Sequence, residues 1–213
     1  MATALFVLIA YLIGSLSFAV LVSRAFGLPD PHGYGSGNPG ATNVLRTGRR
    51  AAALLTLFGD GGKGWLAVFL AQRFAAGWGV EPAGVAGVAI AVFIGHLYPV
   101  FFGFRGGKGV ATAAGILLAV NHWLGLATLA SWIVIAAIFR LSSLAALIAA
   151  VFAPTYYVWL FGIDVMAAAV TAMSVALTAM SALLVWRHRD NIRRLLAGQE
   201  GRIGAAKNPE ENA

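Results

Sequence analysis

Seven apolar runs, most of them close to the length of a bilayer crossing, leave this chain one environment to fold in. A helix that crosses the hydrocarbon core needs roughly 20 mostly apolar residues. The runs are Thr3–Phe26, Ala51–Ala75, Ala83–Phe102, Val110–Val120, Trp123–Phe139, Leu144–Phe161 and Val165–Trp186. The second is interrupted by Asp60-Gly61-Gly62-Lys63-Gly64. The stretch from Val110 to Phe139 is too long for one untilted span, and Asn121 and His122 are its only strongly polar residues. A turn there divides it into a short helix and a full one; one long helix or a re-entrant first half is the alternative. Gly162-Ile163-Asp164 turns the chain before the last run.

Composition agrees. The 213 residues are 60% hydrophobic and 11% charged, whereas a soluble domain carries about 25% charged residues. The length suits a single membrane-embedded domain, 1–213, with no separate soluble domain. Met1 leads into an apolar run without a basic segment before it, which argues against a secretory signal peptide. There is no cysteine, so disulfides, thiolate metal sites and a cysteine acyl-enzyme are excluded. No internal repeat or low-complexity tract stands out.

The net charge of +7 comes from fifteen Lys and Arg against eight Asp and Glu. These cations lie between apolar runs, which suits lipid headgroups and phosphorylated substrates rather than nucleic acid. One side of the predicted bundle receives Arg24, Arg46, Arg49, Arg50, Arg105, Lys108, Arg140, Arg187, Arg189, Arg193, Arg194, Arg202 and Lys207. Arg73 lies near the other face, and Lys63 lies within a span. The basic side is therefore expected in the cytoplasm. The fold class expected is an all-α integral membrane protein, a seven-helix bundle with an external N-terminus and a cytoplasmic C-terminus. Its cytoplasmic segments are loops 27–50, 103–109 and 140–143 and the tail 187–213.

Three polar segments fall on that one side. In SGNPGATNVLR, Ser36 to Arg46, Gly37 and Gly40 let the backbone turn sharply, and successive N–H groups form an anion-binding nest. Ser36, Asn38, Thr42 and Asn43 add polar side chains, and Arg46 adds a forked cation suited to phosphate. An ordinary Asn-Pro-Gly corner accounts for the glycines but not for Arg46 beside them. In FRGGKGVAT, Phe104 to Thr112, Gly106, Gly107 and Gly109 free backbone N–H groups at the start of a helix, and Lys108 adds a full charge. Val110 rules out the Walker spacing. A basic turn obeying the charge rule explains Arg105 and Lys108, not three glycines.

The third segment has two parts. Ser142 and Ser143 open the sixth helix, where hydroxyls often serve only as caps. His188 and Asn191 share a face of the post-membrane helix WRHRDNIRRLL. Its arginines, Arg187, Arg189, Arg193 and Arg194, read as anchors on lipid headgroups. Asp60 and Lys63, three apart within a span, either pair structurally or act in catalysis. His96 is either a packing histidine or a functional one, and His32 and His122 are not expected to function. Trp123 and Trp186 read as interfacial residues. The histidines are dispersed, with no HExxH, so no metal site is expected, and no HxxxxD acyltransferase signature is present.

The strings GSGNPGATNVLR, DGGKG, GHLYPVFFGFRGGKGVAT, SSL and HRDNIRRLLAGQEGRI span nearly the whole chain. Together they resemble the acyl-phosphate:glycerol-3-phosphate acyltransferase (PlsY) family. The resemblance implies transfer of a fatty acyl group from acyl phosphate to the C1 hydroxyl of glycerol 3-phosphate, without acyl-CoA, metal or other cofactor. It implies that Ser36, Arg46, Lys108, Ser143, His188 and Asn191 hold the phosphorylated substrates. Gly37, Asn38, Gly40, Thr42 and Asn43 would shape the acyl-phosphate pocket. Gly106, Gly107, Gly109 and Ser142 join them as candidate substrate-binding residues, with Asp60, Lys63, His96 and Glu200 as further candidates. GQEGR replaces the family's more usual GTENK-like ending, although Glu200 matches. The general base is open among His188, Asp60 and a substrate phosphate oxygen. The expected partners are the two substrates and the lipid bilayer of the bacterial inner membrane, with no nucleic acid and no obligatory protein partner. A transporter of a phosphorylated metabolite is the rival reading, weakened by the missing internal repeat. A non-catalytic bundle that recruits partners leaves the clustered loops unexplained.

The charge distribution makes a prediction of its own. Cysteines introduced singly beside Ser36, Lys108, Ser143 or His188 resist an impermeant thiol reagent in intact cells. Labelling beside Lys108 from outside would invert the topology.

Overall fold

The computed structural model describes residues 1–162 and 168–203, and within them all the regular structure is helical. Ten α-helices follow one another: α1 (Ala2–Gly14), α2 (Phe18–Ala25), α3 (Ala41–Leu45), α4 (Arg50–Phe74), α5 (Pro82–Leu97), α6 (Val110–Val120), α7 (His122–Phe139), α8 (Ser142–Phe161), α9 (Ala168–Arg187) and α10 (Arg189–Leu196). Single 3₁₀ turns follow α4 and α5. The expected turn at Ile163-Asp164, the start of the last run at Val165, and the tail from 204, including Lys207, lie outside the described residues. Among the described residues, five helices are long and apolar enough to cross a membrane, or six if α1 and α2 count as one bent span. The protein is thus a multi-pass membrane protein. Large apolar side chains such as Ile133, Val134 and Ile138 of α7 face outward, as lipid contact requires.

One expectation about continuity is corrected. The first apolar run is not one helix: it breaks at Ser15-Leu16-Ser17, and the two halves meet at 40°. A break inside hydrocarbon leaves carbonyls that lipid cannot satisfy. Lys63 Nζ supplies the bond, 2.6 Å from the Leu16 carbonyl. Ser15 Oγ donates to the Tyr11 carbonyl at 2.9 Å and accepts from the Val100 N–H at 3.3 Å. Conversely, the polar interruption in the second run does not break its helix, since α4 passes unbroken through Asp60–Gly64. Gly64 serves packing, as does Gly115 opposite it. α4 lies along α6, and a Cβ at Gly115 would strike the backbone of Gly61 and Trp65, while one at Gly64 would strike the Thr112 carbonyl. Small residues let helix backbones approach closely where lipid gives no hydrophobic drive to associate.

The α6–α7 turn lies where the sequence placed it. Asn121 Oδ1 caps α7 by accepting from Trp123 N–H at 2.9 Å and Leu124 N–H at 3.1 Å. α1 packs along α5 in the same glycine-dependent way, since a Cβ at Gly95 would meet the backbone of Tyr11 and Ser15. The core beneath these contacts is Phe93, Leu97, Ile116, Leu124 and Leu177, all nearly inaccessible.

Overpacking a filled contact costs about 1–3 kcal/mol and more when backbone must move. Gly95→Leu and Gly115→Leu should therefore each lower the thermal midpoint of the detergent-solubilised protein by several degrees. Gly77→Ala, with nothing within 4 Å of the added Cβ, should leave it unchanged.

Candidate active site

The loop from 27 to 40, the loop 103–109, the start of α8, α10 and the residues after it meet at one end of the bundle. The sequence had placed these segments on one side, and direct contacts now join them.

In the first loop, Asn43 is buried and uses both ends of its amide locally. Its Oδ1 accepts from the Ser36 N–H (3.0 Å) and lies 3.3 Å from Ser36 Oγ; its Nδ2 donates to the Pro31 and Tyr34 carbonyls. Asn43 therefore shapes the loop rather than offering free donors. Gly37 has φ +63°, the left-handed region that glycine adopts without strain. Gly40 is extended at φ −162° and opens α3, so it does not make the sharp turn expected of it. Ser36 and Gly37 are exposed, Asn38 is half-buried and Thr42 exposed. The exposed Arg46 side chain lies over Gly35, and it forms no ion pair among the described residues.

The second loop is pressed against the first. A Cβ at Gly107 would strike His96 Nε2 and the Pro39 carbonyl, and one at Gly106 would strike the His96 and Leu97 carbonyls. Gly109, at φ +87°, turns the chain into α6. The Gly107 N–H, expected to be free, is spent on the His96 carbonyl at 3.2 Å. Lys108 Nζ donates to Asn191 Oδ1. Asn191 Nδ2 donates to Glu200 Oε1 at 2.6 Å, and the same oxygen accepts from Ser143 Oγ at 2.7 Å. Arg194 Nε completes the set, 2.8 Å from Glu200 Oε2. Ser143 is thus not a cap: Leu141 precedes the helix and no side chain caps it. Ser142 stands half-buried beside it. The tail is pinned again where the Ile203 N–H meets the Arg140 carbonyl (2.6 Å) and Arg140 Nη2 meets the Ile203 carbonyl (2.9 Å).

Two arginines read as lipid anchors point inward instead. Arg187 binds the Gly106 and Gly107 carbonyls, and Arg194 binds Glu200. Arg189 lies over the exposed Trp186 ring, and Arg193, 80% exposed, reaches only Asp190 among the described residues. His32, expected to be idle, has Nδ1 2.7 Å from Asp30 Oδ1 and Nε2 2.8 Å from the Arg105 carbonyl, so it joins the two loops. Asp30 and Arg187 flank the motifs in sequence, and a polar residue adjoining a motif was the one signal that could have flagged them.

Below this layer, within the span, Asp60 Oδ1 lies 2.8 Å from Lys63 Nζ and 3.4 Å from His96 Nδ1. All three side chains are buried. Thr112 Oγ1 donates to the Asp60 carbonyl at 3.0 Å. The Asp60–Lys63 pair, with His96 beside it and Lys63 on the Leu16 carbonyl, ties α4 to α5 and to the break in the first span, while Thr112 ties α6 to the Asp60 backbone.

Electrostatics follow from burial. Burial, reinforced by Arg194, lowers the Lys108 pKa to about 8 despite the counter-charge of Glu200. Burial also lowers His188 to about 4, although its Nδ1–H donates to the Leu184 carbonyl at 2.8 Å. A neutral His188 with Nδ1 protonated presents Nε2 as an acceptor. Burial raises the Glu200 carboxyl, but bonds from Ser143, Asn191 and Arg194 outweigh it and hold the group below its usual value.

A family model described as glycerol-3-phosphate acyltransferase matches residues 4–198. The chain belongs to the glycerol-3-phosphate acyltransferase family. A glycerol-3-phosphate acyltransferase of Ralstonia nicotianae is 66% identical over 208 residues, covering 98% of this chain and 97% of its own length. Its counterpart in Cupriavidus pinatubonensis is 63% identical, covering 97% and 99%. Among solved structures, PlsY, an integral membrane glycerol 3-phosphate acyltransferase, is 36% identical in its glycerol 3-phosphate form, with a TM-score of 0.84 and 96% of both chains covered. Its lysophosphatidic acid form gives 35% and 0.82 over the same coverage. Membership of the glycerol-3-phosphate acyltransferase family decides for an enzyme over a transporter.

Lys108 attracts an anion only as the ammonium, which is lost as pH rises through about 8. The acyltransferase kcat/KM should therefore fall on the alkaline side near that value. His188, neutral well above about 4, adds no limb near neutrality. Lys108→Arg keeps its charge at high pH and should remove the alkaline limb from a pH–rate profile. A limb that survives this substitution belongs to another group.

Proposed function

We propose that this enzyme transfers a fatty acyl group from acyl phosphate to the C1 hydroxyl of glycerol 3-phosphate, releasing lysophosphatidic acid and inorganic phosphate. The observation that carries the reading is the meeting of two glycine-rich turns, Arg46 and the Lys108–Asn191–Glu200–Ser143 network at one end of a membrane-embedded bundle. An acyl phosphate already carries a good leaving group, so catalysis rests on positioning and on charge stabilisation. Both substrates carry phosphate, and one end of this bundle offers backbone nests and cations for both. The PlsY relatives are described in forms with glycerol 3-phosphate and lysophosphatidic acid, the acceptor and the product of this reaction.

In this reading Ser36, Arg46, Lys108, Ser143, His188 and Asn191 hold the phosphorylated groups. Gly37, Asn38, Gly40, Thr42 and Asn43 shape the acyl-phosphate side, and Gly106, Gly107, Gly109 and Ser142 the other walls. Glu200 orients Ser143 and Asn191. The C1 oxygen attacks the acyl carbon, the bond from that carbon to the phosphate oxygen breaks, and phosphate departs. Asp60 is committed to Lys63. His188, at about 4, is a weak base, whereas a phosphate oxygen titrating near ~6 is a stronger one. The hydroxyl proton accordingly passes to phosphate.

The bent α1–α2 pair, α4, α5, α6, α7, α8 and α9 make seven membrane elements, with the short α6 reaching only part-way. The N-terminus then lies outside and the site faces the cytoplasm of a bacterial inner membrane. The chain acts as a single domain, its partners being the two substrates and the bilayer.

A charge-assisted bond to phosphate contributes on the order of 1.5–3 kcal/mol. Arg46→Ala and Lys108→Ala should each lower kcat/KM for lysophosphatidic acid formation by at least roughly tenfold. Arg46→Lys should stay impaired because it loses the fork. Arg193→Ala, which removes only an exposed contact to Asp190, should retain most activity at equal expression. If all three alanine variants behave alike, the loops are topology signals and the site assignment fails.

A further inference from the structure

Three consecutive carbonyls of the second glycine loop are each held by a side chain from elsewhere in the chain. The Arg105 carbonyl lies 2.8 Å from His32 Nε2. Arg187 Nη2 donates to the Gly106 carbonyl at 2.7 Å, and Arg187 Nε donates to the Gly107 carbonyl at 3.2 Å. Both clamps are themselves fixed. The Arg187 guanidinium lies over the Tyr98 ring, 5.6 Å from its centroid, and the Tyr98 carbonyl accepts from Tyr11 Oη at 2.9 Å. His32 Nδ1 lies 2.7 Å from Asp30 Oδ1. His32 thus stands between the Asp30 carboxylate and the Arg105 carbonyl, one ring nitrogen toward each.

A trans peptide unit is planar, with its C=O and the following N–H pointing in opposite directions. Holding the carbonyls of Arg105, Gly106 and Gly107 therefore sends the N–H groups of Gly106, Gly107 and Lys108 the other way. The middle one is anchored on the His96 carbonyl. Among the described residues, the Gly106 and Lys108 N–H groups have no protein partner. They lie immediately before the N-terminus of α6 and beside the Lys108 side chain.

We infer that Arg187, assisted by His32, is a positioning residue that sets the polarity of this loop, holding its carbonyls so that the Gly106 and Lys108 amides face the anionic substrate. The inference rests on the reading of loop 103–109 as a phosphate site. It gives Arg187 a task that neither a lipid anchor nor a direct phosphate ligand performs. Two carbonyls taken by one planar fork also explain why an arginine stands there, since a lysine offers no such pair of parallel donors.

The test uses the full-length protein in detergent or nanodiscs, with Arg187→Ala, Arg187→Lys, His32→Ala and the surface control Arg193→Ala. Two properties are measured: amide hydrogen exchange of residues 105–110 without substrate, and steady-state kinetics with inorganic phosphate as inhibitor. Arg187→Ala should speed exchange in that segment and raise both substrate KM and phosphate Ki on the order of tenfold, with a smaller change in kcat. Arg187→Lys and His32→Ala should move the same quantities in the same direction by less, and they carry the test if Arg187→Ala does not fold. Unchanged exchange beside a raised KM would make Arg187 a direct ligand and overturn the inference. Loss of kcat alone, or variants indistinguishable from Arg193→Ala, would overturn it too. A wild-type protein that phosphate does not inhibit would instead remove the phosphate-site reading, and this inference with it.

Discussion

The carboxylate of Glu200 gathers what the sequence scatters. One oxygen accepts from Ser143 at the head of α8 and from Asn191 on α10, and the other accepts from Arg194. Asn191 passes the connection on to Lys108 in the glycine loop. Charge-assisted bonds of this kind are short and geometrically specific. Through one anion, four separated stretches of chain take fixed positions at the same end of the bundle. The same carboxylate offsets the mutual repulsion of Lys108 and Arg194.

Beneath this polar layer the bilayer imposes its own accounting. Hydrocarbon supplies no hydrogen-bond partner, so each polar group at that depth must be met from within the protein. Lys63 illustrates the result. It neutralises Asp60 and also satisfies the carbonyl left open where the first span breaks. That break redirects the chain toward the loop that carries Ser36 and Arg46. His96 links the two layers, its ring beside Asp60 and its carbonyl on the Gly107 N–H. Glycines at 64, 95 and 115 bring the helices close together around these side chains.

Much of this was legible in the sequence because it rests on patterns local to the chain. Apolar runs gave the helical membrane fold, Asn121 marked the α6–α7 turn, and glycines beside Arg46 and Lys108 marked the loops that meet. What escaped depends on contacts between distant residues. Gly14, Ser15 and Ser17 are a local signal for a break around Leu16, but the partner that makes it tolerable, Lys63, is 47 positions away. The four arginines between 187 and 194 are chemically alike, and only the packing of α9 and α10 against the glycine loop separates Arg187 and Arg194 from Arg189 and Arg193. His32 looks idle until the second loop folds against it. Gly37 and Gly40 were both credited with a sharp turn, and of the two Gly37 takes positive φ while Gly40 is extended, a difference the sequence does not carry.

On the proposed reaction the enzyme depends on a donor whose leaving group is phosphate. The most direct test is to follow lysophosphatidic acid formation by the purified protein with glycerol 3-phosphate and either palmitoyl phosphate or palmitoyl-CoA. Turnover with palmitoyl phosphate, matched by release of one inorganic phosphate per product and little or no turnover with palmitoyl-CoA, is the predicted result. Equal or faster turnover with palmitoyl-CoA would contradict the account, because the group leaving the acyl carbon would then be a thiolate and not the phosphate that the second glycine turn is read as holding.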